Sequence, residues 1–194
     1  MTQRPLILAS TSPYRRSLLE RLGVPFEVAR PGVDEAPLAD EAPRDRAARL
    51  SLAKARAVAD QHRGAIVIGS DQVAALGTHV LDKPGDEAIC RAQLAALSGN
   101  SAYFFTGCAV VGVEAQLSLE HIDLTTVHFR SLGGDEIRRY VERERPLDCA
   151  GGFKVEALGI TLFERIENSD PTALIGLPLV WLAGALRRAG YPLP

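Results

Sequence analysis

The chain has 194 residues, 46% hydrophobic and 24% charged, which is enough for one core of native size in one domain or two small lobes. A net charge of -2 and scattered basic residues argue against a binder of nucleic acid polymers. Three cysteines without C-x-x-C spacing predict reduced thiols and a cytoplasmic protein. We expect no export signal and no membrane span, because the apolar runs are short or interrupted.

The first half of the chain alternates predicted strands and helices. Leu6–Ala9 is a predicted strand, and a helix follows it with Ser12 as N-cap, Pro13 in the first turn and Gly23 just past its end. We then predict a short strand and loop within residues 24–37, a helix over residues 43–61, and a buried strand over residues 65–70 that Asp71 and Gln72 close.

The second half continues the alternation. The predicted elements are a loop over residues 77–85, a helix over 86–97, a hairpin of strands 102–113 and 117–130, a helix over 133–144, a glycine-rich turn at 150–153, a strand over 160–166 and a helix over 172–188 interrupted near Pro178. This pattern predicts an α/β fold with a mixed twisted sheet flanked by helices. No linker divides residues 1–194, so we expect a single domain, whose lobes, if there are two, share one cleft.

Polar residues follow the first predicted strand, where ligands of open α/β folds collect. The run over residues 10–16 combines hydroxyls, the free amides of a helix start and two arginines, which are the groups that an anion needs. Arg15 shares a helix face with three leucines and should therefore face the sheet. The alternative is a capped helix in which Arg16 pairs with Glu20 and Arg15 extends its charge to water.

Lysine is rare in this chain, which favours specific roles for Lys54, Lys83 and Lys154. Leu50 and Val58 flank Lys54 at helical spacing, so Lys54 lies on the buried stripe of its helix and needs a partner. The alternative is a lysine stem that covers apolar surface while its ammonium stays in water.

Three acidic residues are candidates for chemistry: Asp71 at the strand end, Glu35 in a loop, and Glu156. Carboxylates beside a phosphate cradle suit phosphoryl or nucleotidyl chemistry with Mg²⁺ or Mn²⁺, because hard oxygen ligands select such ions. Taken singly, each acid could equally be a cap or a surface charge. The absence of Walker A, G-x-G-x-x-G and H-E-x-x-H motifs removes support for P-loop, Rossmann and zincin readings.

Together these motifs resemble the Maf-type nucleoside triphosphate pyrophosphatases, over nearly the whole chain and in the family's order. The matching segments are the S-x-S-x-R-R pattern of residues 10–16, Val33-Asp34-Glu35, Lys54, Ser70-Asp71-Gln72, Lys83-Pro84 and residues 150–153. Gln72 with residues 153–156, 159–163 and 170–178 resembles the YceF-like branch, whose members hydrolyse 7-methyl-GTP, whereas the dTTP/UTP branch carries threonine in place of Gln72. Asp82 departs from the glycine that usually precedes Lys-Pro in the family.

The resemblance implies two lobes around a central cleft, as in Maf and ITPase-like folds, and a role for each matched residue. It implies that Asp71 is the acid-base residue and that Glu35 and Asp71 hold a divalent metal cation, Mg²⁺ or Mn²⁺. Phosphates would be held by Ser10, Ser12, Arg15, Arg16, Lys54 and Lys83. Base choice would fall to Tyr14, Gln72 and Glu156, with the Gln72 amide donating to the base.

The implied reaction is hydrolysis of the α–β phosphoanhydride of 7-methyl-GTP to 7-methyl-GMP and pyrophosphate. Three alternatives stay open: a dTTP/UTP pyrophosphatase, a nucleotide-binding regulator of cell division without turnover, and a sugar-phosphate binder indifferent to the base. The expected partner is a small nucleotide, with neither nucleic acid polymer nor membrane. The sequence leaves the oligomeric state open, a homodimer included.

Overall fold

Seven strands and five α-helices make up the computed structural model, which describes residues 3–194. The strands are β1 Leu6–Ala9, β2 Glu27–Ala29, β3 Ile66–Leu76, β4 His79–Leu81, β5 Ser101–Gly112, β6 Leu117–Phe129 and β7 Phe163–Glu167. The helices are α1 Pro13–Glu20, α2 Pro43–Ala59, α3 Glu87–Leu97, α4 Gly134–Glu144 and α5 Leu179–Arg188. Short 3-10 turns span Ala150–Gly152, Leu158–Leu162 and Ala173–Ile175.

All seven strands form one mixed sheet. Its order is β2-β1-β3-β5-β6-β7, and β4 pairs with the far end of β3. Strand β1 runs parallel to β2 and β3, and the other pairs are antiparallel. The predicted α/β class, with a mixed sheet flanked by helices, is confirmed.

Local signals place the first helix as predicted. The Ser12 side chain accepts a hydrogen bond from the backbone N–H of Arg15, and Pro13 occupies the first helical position. The helix ends at Glu20, and Gly23 has a φ of 66°, a conformation that glycine adopts without strain. The predicted hairpin is confirmed as β5 and β6, and the predicted break near Pro178 separates a 3-10 turn from α5.

The prediction that Asp71 and Gln72 close their strand is wrong, because β3 continues to Leu76. The far half of β3 pairs with β5 and β4, and these long-range contacts supply the hydrogen bonds that the short apolar run did not reveal. The parallel pairing with β1, however, ends at Gly69. Asp71 therefore lies just beyond the carboxyl end of β1, inside a longer strand.

Two smaller boundaries also differ from the prediction. The loop expected over residues 77–85 contains β4, because His79–Leu81 turns back and pairs with the end of β3. The strand expected from residue 160 begins at Phe163, because Leu158–Leu162 forms a 3-10 turn. Among residues 3–194, no helix combines the length and the apolar character needed to cross a bilayer.

The core has three parts, distributed along the sheet. One face of β1, β3 and β5 packs against α1 and α5, and the opposite face packs against α2. Further along the strands, Phe104 and its neighbours pack against α3 and α4. On β3, Ile68 belongs to the first part and Ala74 to the last, so Ser70 and Gln72 lie at the junction between them. Polar side chains between two apolar clusters indicate a ligand-binding site at this junction. The division into one domain or two lobes stays a prediction.

Candidate active site

A cleft of about 700 Å³ lies beside the end of β1 and the middle of β3. Its walls come from the turn after β1, the loop after β2, helix α2, the loop after β4 and the segments around residues 150 and 175. Ten of the eleven predicted site residues line it: Ser10, Ser12, Tyr14, Arg15, Glu35, Lys54, Asp71, Gln72, Lys83 and Glu156.

Arg16 is the exception: it does not line the cleft, and its phosphate role stays a prediction. Its side chain is exposed and lies outside the cleft, where Nε donates to Glu20 Oε1 at 3.2 Å, one helical turn along α1. This i,i+4 pair is the alternative that the sequence offered. Arg15 and Arg16 therefore point to different sides of the same helix.

At the centre of the cleft, Lys54 joins two carboxylates. Lys54 Nζ donates to Asp71 Oδ1 at 2.7 Å and lies 2.9 Å from Glu35 Oε1. Lys54 is 5% exposed and Asp71 is 7% exposed, so each charge has its counter-charge in a largely buried place. Asp71 Oδ2 makes no hydrogen bond to any of residues 3–194, so it is uncommitted.

Two glycines allow α2 to come close enough for this contact. Gly107 lies opposite Asp71 in the β3–β5 ladder, and a Cβ there would stand 2.4 Å from the Ala47 carbonyl oxygen of α2. A Cβ on Gly69 would stand 2.2 Å from the Ser51 carbonyl oxygen. The backbone of α2 therefore rests directly on the sheet, which brings Lys54 to the level of the Asp71 carboxylate.

Arg15 is half-buried, and a hydrogen bond to the backbone holds its guanidinium in place. Its Nε donates to the carbonyl oxygen of Gly176 at 2.9 Å, and Ser70 Oγ lies 2.9 Å from the same oxygen. Burial lowers the pKa of the Arg15 guanidinium, and the nearby Asp71 carboxylate opposes that effect. The remaining nitrogens of Arg15, Nη1 and Nη2, have no hydrogen-bond acceptor among residues 3–194, so they are available to an anion.

The Gln72 amide is already in use. Nε2 contacts Thr106 Oγ1 at 3.0 Å and the carbonyl oxygens of Ala173 and Leu174 at 3.1 and 3.0 Å. Gln72 thereby ties β3 to the segment before α5. The expectation that this amide donates to a base is corrected: any ligand contact of Gln72 falls to its carbonyl oxygen, because the NH₂ group serves the protein.

Tyr14 and Glu156 both line the cleft, but they differ in their hydrogen bonding to the protein. The Tyr14 hydroxyl donates to Asp148 Oδ2 at 3.2 Å and lies 3.9 Å from Cys149 Sγ. Burial raises the pKa of Tyr14, so the phenol stays protonated, and burial also raises the pKa of Cys149 to about 12, which disfavours a thiolate. Glu156 is exposed and has no hydrogen bond or ion pair with residues 3–194.

The remaining phosphate candidates line the cleft from different segments of the chain. Ser10 is buried in the turn after β1, where its Oγ accepts from the Ser12 backbone N–H at 3.2 Å. Lys83 is exposed in the loop after β4, and Lys154 lies outside the cleft. This loop is anchored at Asp82, whose carbonyl oxygen accepts from Gln93 Nε2 at 2.9 Å.

Sequence reasoning missed Arg46, Arg30, Asp148 and Cys149, which also line the cleft. For Arg46 a signal existed: it precedes Leu50 by four residues and Lys54 by eight, so all three share one face of α2. Asp148 and Cys149 reach the cleft through the fold alone, since residues 145–149 form an irregular connection after α4.

The carboxylates of the cleft fit a metal ion only in part. Residues 3–194 contain no group of three or more His, Cys, Asp or Glu side chains that could hold one. Glu35 and Asp71 face the same Lys54 ammonium, and two carboxylates are a suitable protein share for an Mg²⁺ ion that takes its other ligands from phosphates and water. The donor set therefore suits an ion that arrives with a substrate.

The fold and the cleft define an α/β protein with a polar, ligand-sized cavity past the carboxyl end of its parallel strands. The family model described as Maf-like protein matches residues 5–189, and the chain belongs to this family. A 7-methyl-GTP pyrophosphatase of Aromatoleum aromaticum is 54% identical over 100% of both chains. Proteins of the same name from Xanthomonas oryzae and Alkalilimnicola ehrlichii are each 53% identical, over 97% and 100% of this chain and 98% of each relative. The Staphylococcus aureus Ham1 protein structure matches with a TM-score of 0.46 at 13% identity, over 65% of this chain and 72% of that one.

Proposed function

We propose that this protein hydrolyses the α–β phosphoanhydride of 7-methyl-GTP and releases 7-methyl-GMP and pyrophosphate. The observation that carries the proposal is the Asp71 carboxylate, held by Lys54 at 2.7 Å in a cleft that Arg15 also lines, with two guanidinium nitrogens that no group of residues 3–194 accepts from. The names of relatives about 50% identical over the full length support the same reaction.

In this reaction Asp71 acts on water. Asp71 Oδ1 is committed to Lys54, so Oδ2 accepts a proton from a water molecule as its oxygen attacks the α-phosphorus. The bond from that phosphorus to the bridging oxygen breaks, and pyrophosphate leaves. Arg15 and Lys83 stabilise the charge that develops on the transferring and leaving phosphates, and Ser10 with Ser12 shapes the turn that receives them.

Lys54 has a positioning role in the free protein. One ammonium holds the carboxylates of Glu35 and Asp71 near each other before substrate arrives. Without the ammonium, repulsion between the two carboxylates would push the loop after β2 away from strand β3. Lys54 then shares its charge with phosphate oxygens.

The charge balance of the cleft favours a divalent cation. The lining contains five cations, Arg15, Arg30, Arg46, Lys54 and Lys83, and five acids, Glu35, Asp71, Asp82, Asp148 and Glu156. Such a lining cannot by itself neutralise a triphosphate. Glu35 and Asp71 would hold Mg²⁺ or Mn²⁺, which when bound supplies charge neutralisation and polarises phosphoryl oxygens.

The test is pyrophosphate release from 7-methyl-GTP, GTP, dTTP and UTP, with and without Mg²⁺ or Mn²⁺. We expect the highest kcat/KM for 7-methyl-GTP, and turnover only with a divalent cation. A preference for dTTP or UTP would assign the other substrate class, and nucleotide binding without pyrophosphate release would assign a regulatory role. Equal binding of all nucleotides and of sugar phosphates would leave a general phosphate binder.

A further inference from the structure

Arg46 is a cation of the cleft to which neither the sequence nor the proposed mechanism gives a task. Its side chain is 18% exposed and lines the cavity on the same face of α2 as Leu50 and Lys54. It lies in the first turn of α2, where the positive end of the helix dipole disfavours a cation. The helix dipole therefore disfavours the positive charge of Arg46 at this position, and a bound anion would offset that unfavourable interaction.

The guanidinium of Arg46 uses few of its five donors. Nη2 donates to the Glu35 carbonyl oxygen at 3.2 Å, and Nη1 lies 3.9 Å from Asp82 Oδ1, which is too long for a hydrogen bond. The buried Nε has no hydrogen-bond partner among residues 3–194. A buried donor without a partner is costly, so an oxyanion that reaches this guanidinium gains contacts that the protein leaves unmade.

Arg46 stands between groups already assigned to the triphosphate. The Glu35 residue links it to Lys54, because its carbonyl oxygen accepts from Arg46 while its carboxylate contacts the Lys54 ammonium. On the other side, Asp82 is followed directly by Lys83. Arg46 thus contacts the loop of Glu35 on one side and approaches the loop of Lys83 on the other.

We propose that Arg46 binds the terminal phosphates of the substrate, exchanging its loose contact with Asp82 for phosphate oxygens. The identity of the ligand rests on the proposed function. The Asp82 side chain is 78% exposed, so water replaces Arg46 around its carboxylate at little cost. In the free protein the Asp82 carboxylate competes with phosphate for the same guanidinium.

The first test is Arg46→Gln, with calorimetry of tripolyphosphate binding and the KM for 7-methyl-GTP and GTP. We expect the Kd and both KM values to rise about tenfold or more, as loss of a charge-assisted hydrogen bond implies. The two nucleotides should be affected by the same factor, because they share the triphosphate. Arg56→Gln is the matched control, since Arg56 is exposed on the same helix and lies outside the cleft. A Kd for Arg46→Gln within twofold of wild type overturns the proposal.

Asp82→Asn separates phosphate binding from a simple clamp between two loops. If Arg46 binds phosphate, this variant binds tripolyphosphate as tightly as wild type or more tightly, because the competing carboxylate is gone. If the Arg46–Asp82 contact only holds the loops, Asp82→Asn weakens binding as much as Arg46→Gln does, and the proposal fails. Thermal unfolding of both variants verifies that they fold. Should wild type hydrolyse no nucleotide, the proposed function fails, while tripolyphosphate binding still decides the role of Arg46.

Discussion

The polar side chains in the cleft differ in how many of their hydrogen-bonding atoms already have a protein partner. This difference distinguishes groups that can react from groups that support the structure. Within residues 3–194, Asp71 has one carboxylate oxygen without a partner, and Arg15 has two such nitrogens while its third donates to Gly176. The Gln72 NH₂ group is fully occupied by the protein. A side chain that is held in place by one hydrogen bond and still has an atom without a partner can bind substrate or water. Asp71 and Arg15 are therefore better candidates for a role in the reaction than Gln72.

Asp71→Asn should reduce kcat by about 10²- to 10⁴-fold, because it removes the proton acceptor while keeping the side-chain shape. It should also lower the melting temperature somewhat, since the buried Lys54 ammonium then loses the negative charge of Asp71 and keeps that of the exposed Glu35. Steady-state kinetics on 7-methyl-GTP and a thermal melt measure the two effects. Asp60→Asn, at the exposed end of α2, serves as the control. Near-normal kcat in Asp71→Asn would contradict the assignment.

Tyr14 and Glu156 should govern the choice of base. The positive charge of a 7-methylguanine attracts an aromatic face by roughly 0.5–2 kcal/mol, so Tyr14→Ala should reduce the preference for 7-methyl-GTP over GTP by about 2- to 30-fold. Tyr14→Phe keeps the ring and removes the hydroxyl with its contacts to Asp148 and Cys149, and should retain most of that preference.

Glu156 contributes to the same preference through hydrogen bonding. Its carboxylate, which has no partner among residues 3–194, suits the two adjacent donors on the Watson–Crick edge of guanine, which thymine and uracil lack. Glu156→Gln should therefore reduce the ratio of kcat/KM for 7-methyl-GTP to that for dTTP. The kcat/KM values of the four nucleotides measure both effects. An unchanged ranking in Tyr14→Ala and Glu156→Gln would refute base recognition by these residues while leaving the hydrolysis itself untouched.

At the level of elements, the loop after β2 carries Glu35 into the cleft, and Arg49 of α2 fastens that loop. Arg49 contacts both carboxylate oxygens of Glu41, at 2.5 and 2.7 Å, and donates to the carbonyl oxygen of Ala36 at 3.2 Å. The hydrogen bonds from Arg49, assisted by the Leu38 backbone N–H, lower the pKa of Glu41 to about 2. The position of Glu35 thus depends on an ion pair outside the cleft.

This anchor should make part of the stability acid-sensitive. Because the pKa of Glu41 is lower in the folded chain, the pair contributes fully above about pH 4.5, the ordinary value, and its contribution is lost as the pH falls towards about 2. In urea unfolding, the wild type should therefore lose more stability over that range than Glu41→Gln. Glu20→Gln, which removes an exposed carboxylate paired with Arg16, is the control. Parallel pH profiles of wild type and Glu41→Gln would contradict the prediction.

The sequence predicted best the elements whose signals are local. Helix α1 has its cap, its proline and its leucine spacing within a dozen residues, and the same spacing distinguished Arg15 from Arg16 as the sheet-facing arginine. The length of β3 could not be read, because Asp71 and Gln72 look like a strand end. Lys54 contacts Asp71 Oδ1, and the Gln72 NH₂ group donates to carbonyls about 100 residues away, contacts that exist only in the fold.

In the whole molecule, the cleft joins segments from almost the entire chain. Its lining extends from Ala9 to Gly176, and it lies where the core around α1 and α5 meets the core around α3 and α4. A ligand that contacts both sides therefore stabilises the folded state as a unit, because the unfolded chain offers no such site.

Tripolyphosphate at a hundred times its Kd should stabilise the protein by about 2.7 kcal/mol and raise its melting temperature by roughly 5–11 °C for a chain of this size. Arg15→Gln should lose most of that shift. Arg16→Gln, the neighbouring arginine outside the cleft, should retain it. Thermal melts with and without ligand measure the shift. Equal shifts in the two variants would place the anion elsewhere.

The pairing of the central strands also sets an order for folding. Strands β5 and β6 pair along twelve residues each and are joined by residues 113–116, whereas β1 and β3 pair residues sixty positions apart, such as Leu6 with Ile66. Closing the short loop costs less entropy, so the hairpin should belong to the folding nucleus and the β1–β3 pair should form later. In stopped-flow experiments Val110→Ala should mainly slow refolding, while Leu8→Ala should mainly speed unfolding. The candidate active-site cleft is then among the last parts of the chain to assemble, because its first wall is the turn that follows β1.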